Sequence, residues 1–280
     1  MDDLKPFGYP VDWIKDAELL EIPERARHLL EDYSGISSTE LMSHINEVRA
    51  KALKLYPYPC LGHYRFLDVQ TVRSSAYSEI LSRIIHGATF LDLGCCIGQE
   101  LRQLASDGAP PSSLYGADIC PEFFDVGYAL FRDKSVFDGR LLQADIFDKN
   151  LRLGALVGDI DIIWTASVIH LWGWTKQREA LSAMFSLLER APNPLIAGRF
   201  MGFTEPGDYV FESKGNKESF YRHNAHSFRK LFTEASERFP GWELEVEAPA
   251  WQETLNIRTK DEPGRTWNVQ VKFVARRKGN

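Results

Sequence analysis

One short stretch, residues 90–100, constrains the fold of this chain more than any other. It reads Phe-Leu-Asp-Leu-Gly-Cys-Cys-Ile-Gly-Gln-Glu: an apolar run that ends in an acid, a turn that carries glycine, and a segment with helical pattern. Such a strand–turn–helix unit lets the backbone approach a ligand closely at the carboxyl end of the strand. The sequence therefore predicts an α/β sheet with a binding site at this turn.

Two further acids follow predicted strands in the same way. Asp118 comes after Ser-Leu-Tyr-Gly-Ala, 24 residues beyond Gly94, and Asp145 comes after Leu-Leu-Gln-Ala. An acid near that interval can grip ribose hydroxyls, because a carboxylate has two acceptor oxygens. Asp92, at the end of the first strand, suits an ammonium group. Three carboxylates at successive strand ends suit a ligand with a ribose, an amino group and a base edge but no pyrophosphate, and S-adenosylmethionine is such a ligand.

The residues beside the acids support this interpretation. Gly94 permits the turn, and Gly98 lets the next helix pack closely, with its first N–H groups directed at a carboxylate. The side chain of Cys96 stands where a pyrophosphate-binding turn usually has its middle glycine, which disfavours a dinucleotide. The N–H of Ile146 can donate to a base nitrogen, and Phe147 offers a flat apolar wall. Other roles stay open: Asp118 as a solvated turn acid, Asp145 as a helix N-cap, and Cys95 and Cys96 as small fillers of a tight turn.

The pattern after residue 87 predicts the rest of the fold. Short apolar strands alternate with helices there, which favours a parallel sheet. Two strictly alternating runs, beginning at Trp242 and Trp267, favour an antiparallel hairpin on its edge. We therefore predict a Rossmann-type fold with a seven-stranded, mostly parallel sheet. Strands are expected near 88–93, 113–118, 139–142, 159–164 and 194–199, and helices near 98–106, 121–131, 175–190 and 224–238.

Two segments lie outside this pattern. Residues 1–86 are predicted to form an N-terminal helical extension, and residues 87–280 the cofactor-binding domain. The polar stretch 202–222 is a candidate substrate lid. Both segments are expected near the carboxyl ends of the strands, where ligands bind in open α/β sheets.

Composition excludes several classes of function. The 280 residues carry a formal net charge of −6, which gives no electrostatic footprint for nucleic acid. No run approaches the roughly 18 apolar residues of a membrane span, and the first residues lack the features of a secretory signal. The four cysteines have no Cys-x-x-Cys spacing, so we expect reduced thiols in a cytoplasmic protein and no metal site.

The residues after the fourth predicted strand indicate which kind of molecule would accept a methyl group from S-adenosylmethionine. The run Trp164-Thr-Ala-Ser-Val-Ile-His lacks the Asn/Asp-Pro-Pro-Tyr motif of nucleobase methylation. His170 is the candidate catalytic residue, either as a general base for a phenol or as a donor that orients a carboxylate. Trp172 offers an aromatic wall for a hydrophobic substrate, and Arg199 can grip a carboxylate with two parallel N–H bonds. Tyr9 and Trp13 are candidates for closing the pocket.

Several stretches resemble the fungal methyltransferases of meroterpenoid biosynthesis. These are the run from Leu91 to Lys134, the runs QADIFD and WTASVIHLW, and the N-terminal segment YPVDWIKDAELLEIPERARHLLEDYSGI. The resemblance implies a methyl ester formed on the carboxyl group of a farnesylated aromatic polyketide. It also implies a cofactor role for Asp118 with Ile119, and for Asp145 with Ile146 and Phe147. The full predicted cofactor set is Asp92, Gly94, Cys95, Gly98, Asp118, Ile119, Asp145, Ile146 and Phe147.

Three alternatives remain open on the sequence alone. One is methylation of a phenol oxygen or a carbon on a related natural product. Another is a nicotinamide-dependent oxidoreductase on the same sheet, which the turn from Gly94 to Gly98 disfavours. A third is a methyltransferase-like domain that binds without catalysis. A homodimer is also expected, because helical extensions on this fold often pair.

Overall fold

A seven-stranded sheet forms the centre of the protein. The computed structural model describes residues 17–148, 153, 156, 158–213, 216–258 and 269–277. Each strand predicted from the sequence overlaps a strand of the structure. In chain order, the strands of the central sheet are β1 (Phe90–Leu93), β2 (Leu114–Asp118), β3 (Arg140–Gln143), β4 (Ile162–Ala166), β5 (Leu195–Gly202), β6 (Trp242–Glu247) and β7 (Val269–Arg277).

The strand order is β3-β2-β1-β4-β5-β7-β6. The five strands β1 to β5 are parallel, whereas β7 lies antiparallel between β5 and β6. The predicted Rossmann-type sheet with an antiparallel edge pair is therefore confirmed. Because β1 to β5 run in one direction, the loops that follow them meet at a single edge of the sheet.

Helices cover both faces of the sheet, which explains why β1, buried along its whole length, is apolar on both sides except at Asp92. Two helices late in the chain pack on one face, and two others cover the opposite face. The helices are α1 (Glu24–His28, continued by a π-helical turn Leu29–Tyr33), α2 (Leu41–Leu55), α3 (Pro59–Gly62), α4 (Tyr77–Ile85), α5 (Gln99–Ser106), α6 (Glu122–Phe131), α7 (Trp174–Leu187) and α8 (Ala225–Ser236).

The N-terminal segment is mainly helical, as the sequence predicts, and it packs against the sheet domain. Leu29, Ile45 and Val48 share one apolar cluster with Phe123 and Leu130 of α6. Single 3₁₀ turns at Arg65–Leu67 and Thr71–Arg73 carry the chain on to α4. A two-residue strand Glu18–Leu19 pairs with Ile257–Arg258. Tyr9, Trp13 and Trp267 lie outside the described residues.

The segment 202–222 contains strands that the sequence analysis did not predict. Gly207–Ser213 and Asn216–Arg222 pair antiparallel, with Gly207 opposite Arg222. The ring of Tyr209 stacks on that of Phe203, with their centroids 4.2 Å apart. In the described part of the chain, no helix has both the length and the apolar character to cross a bilayer.

Candidate functional site

A cavity of about 300 Å³ opens at the edge where the parallel strands end. Its floor is formed by the loops after β1 to β4 and by the end of β5. One wall comes from the N-terminal segment between Tyr58 and Gln70, and Arg222 and Trp251 also line the cavity. The cavity therefore lies where the sequence predicts the ligand site.

The turn after β1 needs glycine at its first position. Gly94 has a φ of +79°, and a Cβ there would lie 2.3 Å from Cγ2 of Val168. Cys96, two residues on, has a φ of +49°, which is a left-handed conformation that L-residues other than glycine rarely adopt. Both residues line the cavity. The turn thus keeps the shape of a glycine loop although one usual glycine is a cysteine.

Gly98 leaves room for a buried side chain of the helix that follows it. It lies at the N-cap of α5 with a φ of +72°, and a Cβ there would lie 2.5 Å from Nη1 of Arg102. Arg102 is fully buried and pairs through Nε with Asp133 at 2.9 Å, so it has little freedom to move away. Gly98 and the buried Cys95 lie behind the cavity lining. The glycine makes room for this arginine rather than for a ligand in the cavity.

Asp118 lines the cavity with its carboxylate held by the backbone. Oδ2 accepts from the N–H of Cys96 at 2.9 Å, and Oδ1 accepts from the N–H of Cys120 at 3.0 Å. Burial raises the pKa of Asp118, and these two hydrogen bonds oppose that effect. Each oxygen has a second lone pair for a ligand hydroxyl. Ile119, 39% exposed, lines the cavity beside it.

Asp92 is the predicted site residue with the most unusual environment. It lies inside β1, 2% exposed, and its Oδ2 has no hydrogen-bond partner among the described residues. Burial, followed by the charges of Glu100 and Asp118, raises the pKa of Asp92 well above its usual range. Asp92 does not border the cavity. Its buried carboxyl lies next to the turn that carries Gly94.

The loop after β3 contributes two of its three predicted residues to the cavity. Asp145 and Ile146 line it, whereas Phe147 does not. Oδ1 of Asp145 accepts from the N–H of Phe147 at 2.9 Å, so this acid also stabilises its own turn. The ring of Phe147 instead packs edge-on against Trp172, which lines the cavity, with centroids 4.9 Å apart.

Arg199 is a buried cation that faces the cavity. It is 7% exposed, and its guanidinium makes no hydrogen bond or ion pair within the described part of the chain. Burial lowers the pKa of Arg199 to about 10, and the nearby carboxylates of Asp68 and Glu100 oppose that effect. The side chain stays charged at neutral pH. A buried guanidinium that lines the cavity without a direct ion pair suits an anionic ligand group.

His170 lines the cavity near this cation. Burial, together with the positive charges of Arg222 and Arg199, lowers the pKa of His170 well below its usual range. The ring is therefore neutral at pH 7. Its Nδ1 is enclosed without a hydrogen-bond partner among the residues that the structure describes, which leaves Nε2 as the nitrogen that can meet a ligand. Arg222 donates to the backbone carbonyl of His170.

The sequence analysis missed much of the wall. Tyr58, Leu61 and Phe66 line the cavity from the N-terminal segment, and Met201 and Trp251 line it from the sheet domain. The only local signal was the Tyr-Pro-Tyr-Pro linker, whose prolines predict extended backbone but no partner. Arg65 also lines the cavity and is bound by Glu253, with Nη1 and Oε1 2.5 Å apart.

Glu100 is a further residue that the sequence did not indicate. It is buried and lines the cavity, and burial raises its pKa. Its carboxylate accepts from the N–H groups of Gln70 and Thr71 at 2.8 and 2.9 Å and from the Thr71 hydroxyl at 2.7 Å. It therefore ties α5 to the N-terminal segment.

The residues present suit an adenosyl ligand with a methionine-like tail. Asp118 offers acceptors for a ribose, the turn at Gly94 offers close backbone approach, and Ile146 offers an apolar surface for a base. Among the described residues, no group of three His, Cys, Asp or Glu side chains could hold a metal ion.

Comparison with known proteins gives two family models. One, described as the meroterpenoid methyltransferase N-terminal domain, matches residues 13–67, and the other, a methyltransferase domain, matches residues 90–191. The asnovolin E/chermesin D methyltransferase of Aspergillus novofumigatus is 36% identical over 245 residues, which cover 87% of this chain and 86% of that protein. Methyltransferase trt5 of Aspergillus terreus is 37% identical over 248 residues, which cover 88% and 87%.

Among solved structures, the magnesium protoporphyrin IX methyltransferase of Synechocystis aligns with a TM-score of 0.42 at 14% identity. The alignment covers 91% of this chain and 90% of that one. The fold assignment rests on the strand order above and not on this distant likeness. The family matches show that this chain is a methyltransferase and not a nicotinamide-dependent oxidoreductase. This chain therefore belongs to the fungal meroterpenoid methyltransferases and is an S-adenosylmethionine-dependent enzyme of secondary metabolism.

Proposed function

We propose that the protein forms a methyl ester on the carboxylate of a hydrophobic, prenylated aromatic acid. The observation that carries this proposal is the buried guanidinium of Arg199, which lines the cavity without a partner among the described residues. A charge held that way costs free energy unless a ligand compensates it. A substrate carboxylate would do so with charge-assisted hydrogen bonds.

The walls of the cavity favour a hydrophobic methyl acceptor. Tyr58, Phe66, Trp172, Met201 and Trp251 surround the cavity. Aromatic and aliphatic surface of this kind binds apolar rings and chains, and a small number of polar groups fixes their orientation. An acid with a large apolar body matches both features of the cavity.

His170 serves this reaction as a hydrogen-bond donor rather than as a general base. A proton on the enclosed Nδ1 would have no acceptor, so the neutral ring is better protonated at Nε2. An Nε2–H can donate to a carboxylate oxygen. The strongly lowered pKa of His170 also makes the ring a weak proton acceptor, which disfavours the phenol alternative.

The residues of the predicted cofactor set would bind S-adenosylmethionine and align it with the acceptor. Asp118 would hold the ribose hydroxyls, Asp145 and Ile146 the adenine edge with Ile119 beside it, and the turn at Gly94 the methionine half. Asp92, beneath that turn, would compensate the ammonium group. Cys95, Gly98 and Phe147 would act from behind the lining, by keeping the turn and Trp172 in place.

The bound cofactor supplies an electrophilic methyl group on a positively charged sulfur. An acceptor carboxylate held by Arg199 and His170 would take this methyl group, and the electron pair of the carbon–sulfur bond would stay on the sulfur. No base is needed, because a carboxylate is already ionised at neutral pH. The protein contributes alignment and exclusion of water. The product ester has lost the negative charge that Arg199 binds, which favours its release.

The test is product analysis with a panel of prenylated aromatic acids and the matching phenols that lack the carboxyl group. We expect a mass gain of one methyl group only with the acids, and loss of that methyl on mild alkaline hydrolysis. Arg199→Met should lower kcat/KM for the acid by about 100-fold, on the scale of a lost charge-assisted pair. Arg199→Lys should retain part of the activity.

The affinity for S-adenosylhomocysteine separates this result from a folding defect, since neither Arg199 variant should change it by more than about twofold. An alkali-stable methyl product would instead assign an ether or a C-methyl group. Full activity of Arg199→Met on an acid would overturn the proposal.

A further inference from the structure

The N-terminal segment reaches the cofactor turn through a buried network of hydrogen bonds. The Tyr33 hydroxyl, at the end of the π-helical turn after α1, donates to Oδ2 of Asp133 at 3.0 Å. The same Asp133 carboxylate accepts from Nε and Nη2 of Arg102 at 2.9 and 3.2 Å. Arg102 is fully buried on α5, the helix that follows the turn.

The Arg102 guanidinium is fixed on its other sides as well. Its centre lies 4.0 Å from the centroid of the Phe137 ring, and Nη1 sits against the position where Gly98 lacks a side chain. Because a buried guanidinium is expensive to leave unpaired, Asp133 and Arg102 move together. Any shift of Arg102 therefore presses on the turn between Gly94 and Gly98.

A second buried charge on the same helix also binds the N-terminal segment. Glu100 accepts three hydrogen bonds from Gln70 and Thr71. The helix is thus held at residues 100 and 102 by two different parts of the segment. Ile97, in the turn itself, packs in the apolar cluster that contains Leu29 and Ile45.

We infer that the N-terminal segment sets the geometry of the cofactor turn, and that Tyr33 is a positioning residue for S-adenosylmethionine. Tyr33 does not line the cavity, and its hydroxyl is linked to the turn through Asp133 and Arg102. The inference does not depend on which acceptor the enzyme methylates.

The test compares two tyrosine-to-phenylalanine variants of the full chain. Tyr33→Phe removes the bond to Asp133, and Tyr64→Phe removes a 2.7 Å bond from Tyr64 to Asn46 in the same segment, away from the turn. Affinity for S-adenosylhomocysteine is measured by calorimetry and Tm by thermal unfolding. Both variants should have a lower Tm, since each loses one hydrogen bond.

Only Tyr33→Phe should weaken S-adenosylhomocysteine binding, by about threefold to tenfold, which is the range of a modest coupling between sites. The KM for S-adenosylmethionine should rise with it while kcat at saturation stays near the wild-type value. Tyr64→Phe should leave the affinity within about twofold. Unchanged affinity in Tyr33→Phe, or equal weakening in both variants, would reduce Tyr33 to a purely structural role and overturn the inference.

Discussion

The two ends of the cavity are built in different ways. The end formed by the loops after β1, β2 and β3, here called the cofactor half, holds the carboxylates of Asp118 and Asp145 with N–H groups from nearby turns. Asp118 is bonded by Cys96 and Cys120, and Asp145 by Phe147. In the end around His170 and Arg199, here called the acceptor half, Nδ1 of His170 and Nε of Arg199 have no hydrogen-bond partner among the described residues.

This difference shows which half is complete before a ligand arrives. Backbone donors fix Asp118 and Asp145 at one geometry, so the cofactor half is preorganised for a constant ligand. In the acceptor half, the carboxylate of the proposed substrate would supply a direct partner for the buried guanidinium of Arg199. We therefore expect mutations in the two halves to affect different steps.

The largest effect should come from the turn of the cofactor half. Gly94→Ala places a methyl group against Val168 in a left-handed conformation. Displacement of the turn should weaken S-adenosylhomocysteine binding by roughly 100-fold, the usual penalty for misplacing a binding group by about 1 Å. Gly108→Ala is the matched control, since Gly108 has a φ of +101° but open space around it. It should lower Tm without changing the affinity.

The two carboxylates of the cofactor half should differ in importance. Asp118→Ala should cost about 1–3 kcal/mol of cofactor binding, because two backbone donors and the ribose lose a charged acceptor. Asp145 is exposed, so Asp145→Ala should cost less, about 1 kcal/mol. Calorimetric titration with S-adenosylhomocysteine measures both. Equal losses of binding free energy in the two variants would show that the greater burial of Asp118 does not make it the more important acid.

Asp92→Asn should lower the affinity for S-adenosylhomocysteine and raise the free energy of unfolding at neutral pH. The raised pKa of Asp92 means that the folded state binds this proton more tightly than the unfolded chain does. The free energy of unfolding of the wild type therefore falls as pH rises from about 4, the ordinary pKa of aspartate, through the folded-state pKa.

The Asp92→Asn variant lacks that loss, so it should be more stable than the wild type at neutral pH by roughly 1–2 kcal/mol and gain nothing near pH 3. Urea unfolding at several pH values measures the difference. Its affinity for S-adenosylhomocysteine should fall, since the ammonium group loses an anionic partner. A stability difference that does not depend on pH would contradict this account.

The smallest effect should appear in the acceptor half at His170. His170→Gln keeps a donor in the wall, so kcat on a carboxylic acid should fall by about tenfold or less. The pH–rate profile of the wild type should lack a group near 6–7, because burial and Arg222 keep the ring neutral there. A profile controlled by such a group, and abolished turnover in His170→Gln, would restore the general base role.

The sequence predicted the cofactor half well because its determinants are local. Asp118 is the last residue of β2, Asp145 comes two residues after the end of β3, and their hydrogen-bond partners lie in the same or the neighbouring loop. The strand pattern alone therefore locates them. Gly98 was identified as special, but its physical reason, the buried side chain of Arg102, required the packed structure.

The acceptor half could be predicted only in part. Arg199 was found because it ends the predicted strand 194–199, and His170 because it follows β4. That Nε of Arg199 and Nδ1 of His170 lack hydrogen-bond partners among the described residues depends on what surrounds them in three dimensions. The sequence from Tyr58 to Phe66 has no hydrophobic periodicity that would indicate a cavity wall. Glu100 reads as an ordinary helix residue, and its bonds to Gln70 and Thr71 join segments about 30 residues apart. Contacts of that range leave no trace in a single sequence.

The wall from Tyr58 to Gln70 has an evolutionary consequence. Leu61 and Phe66 lie outside the loops that follow the parallel strands, so substitutions there would change the shape of the cavity for a new methyl acceptor while leaving those loops unchanged. A lineage of such enzymes could diversify its natural products by substitutions in one short stretch of chain. Thr71, just beyond this stretch, would be more constrained, because its hydroxyl as well as its N–H binds Glu100 of α5.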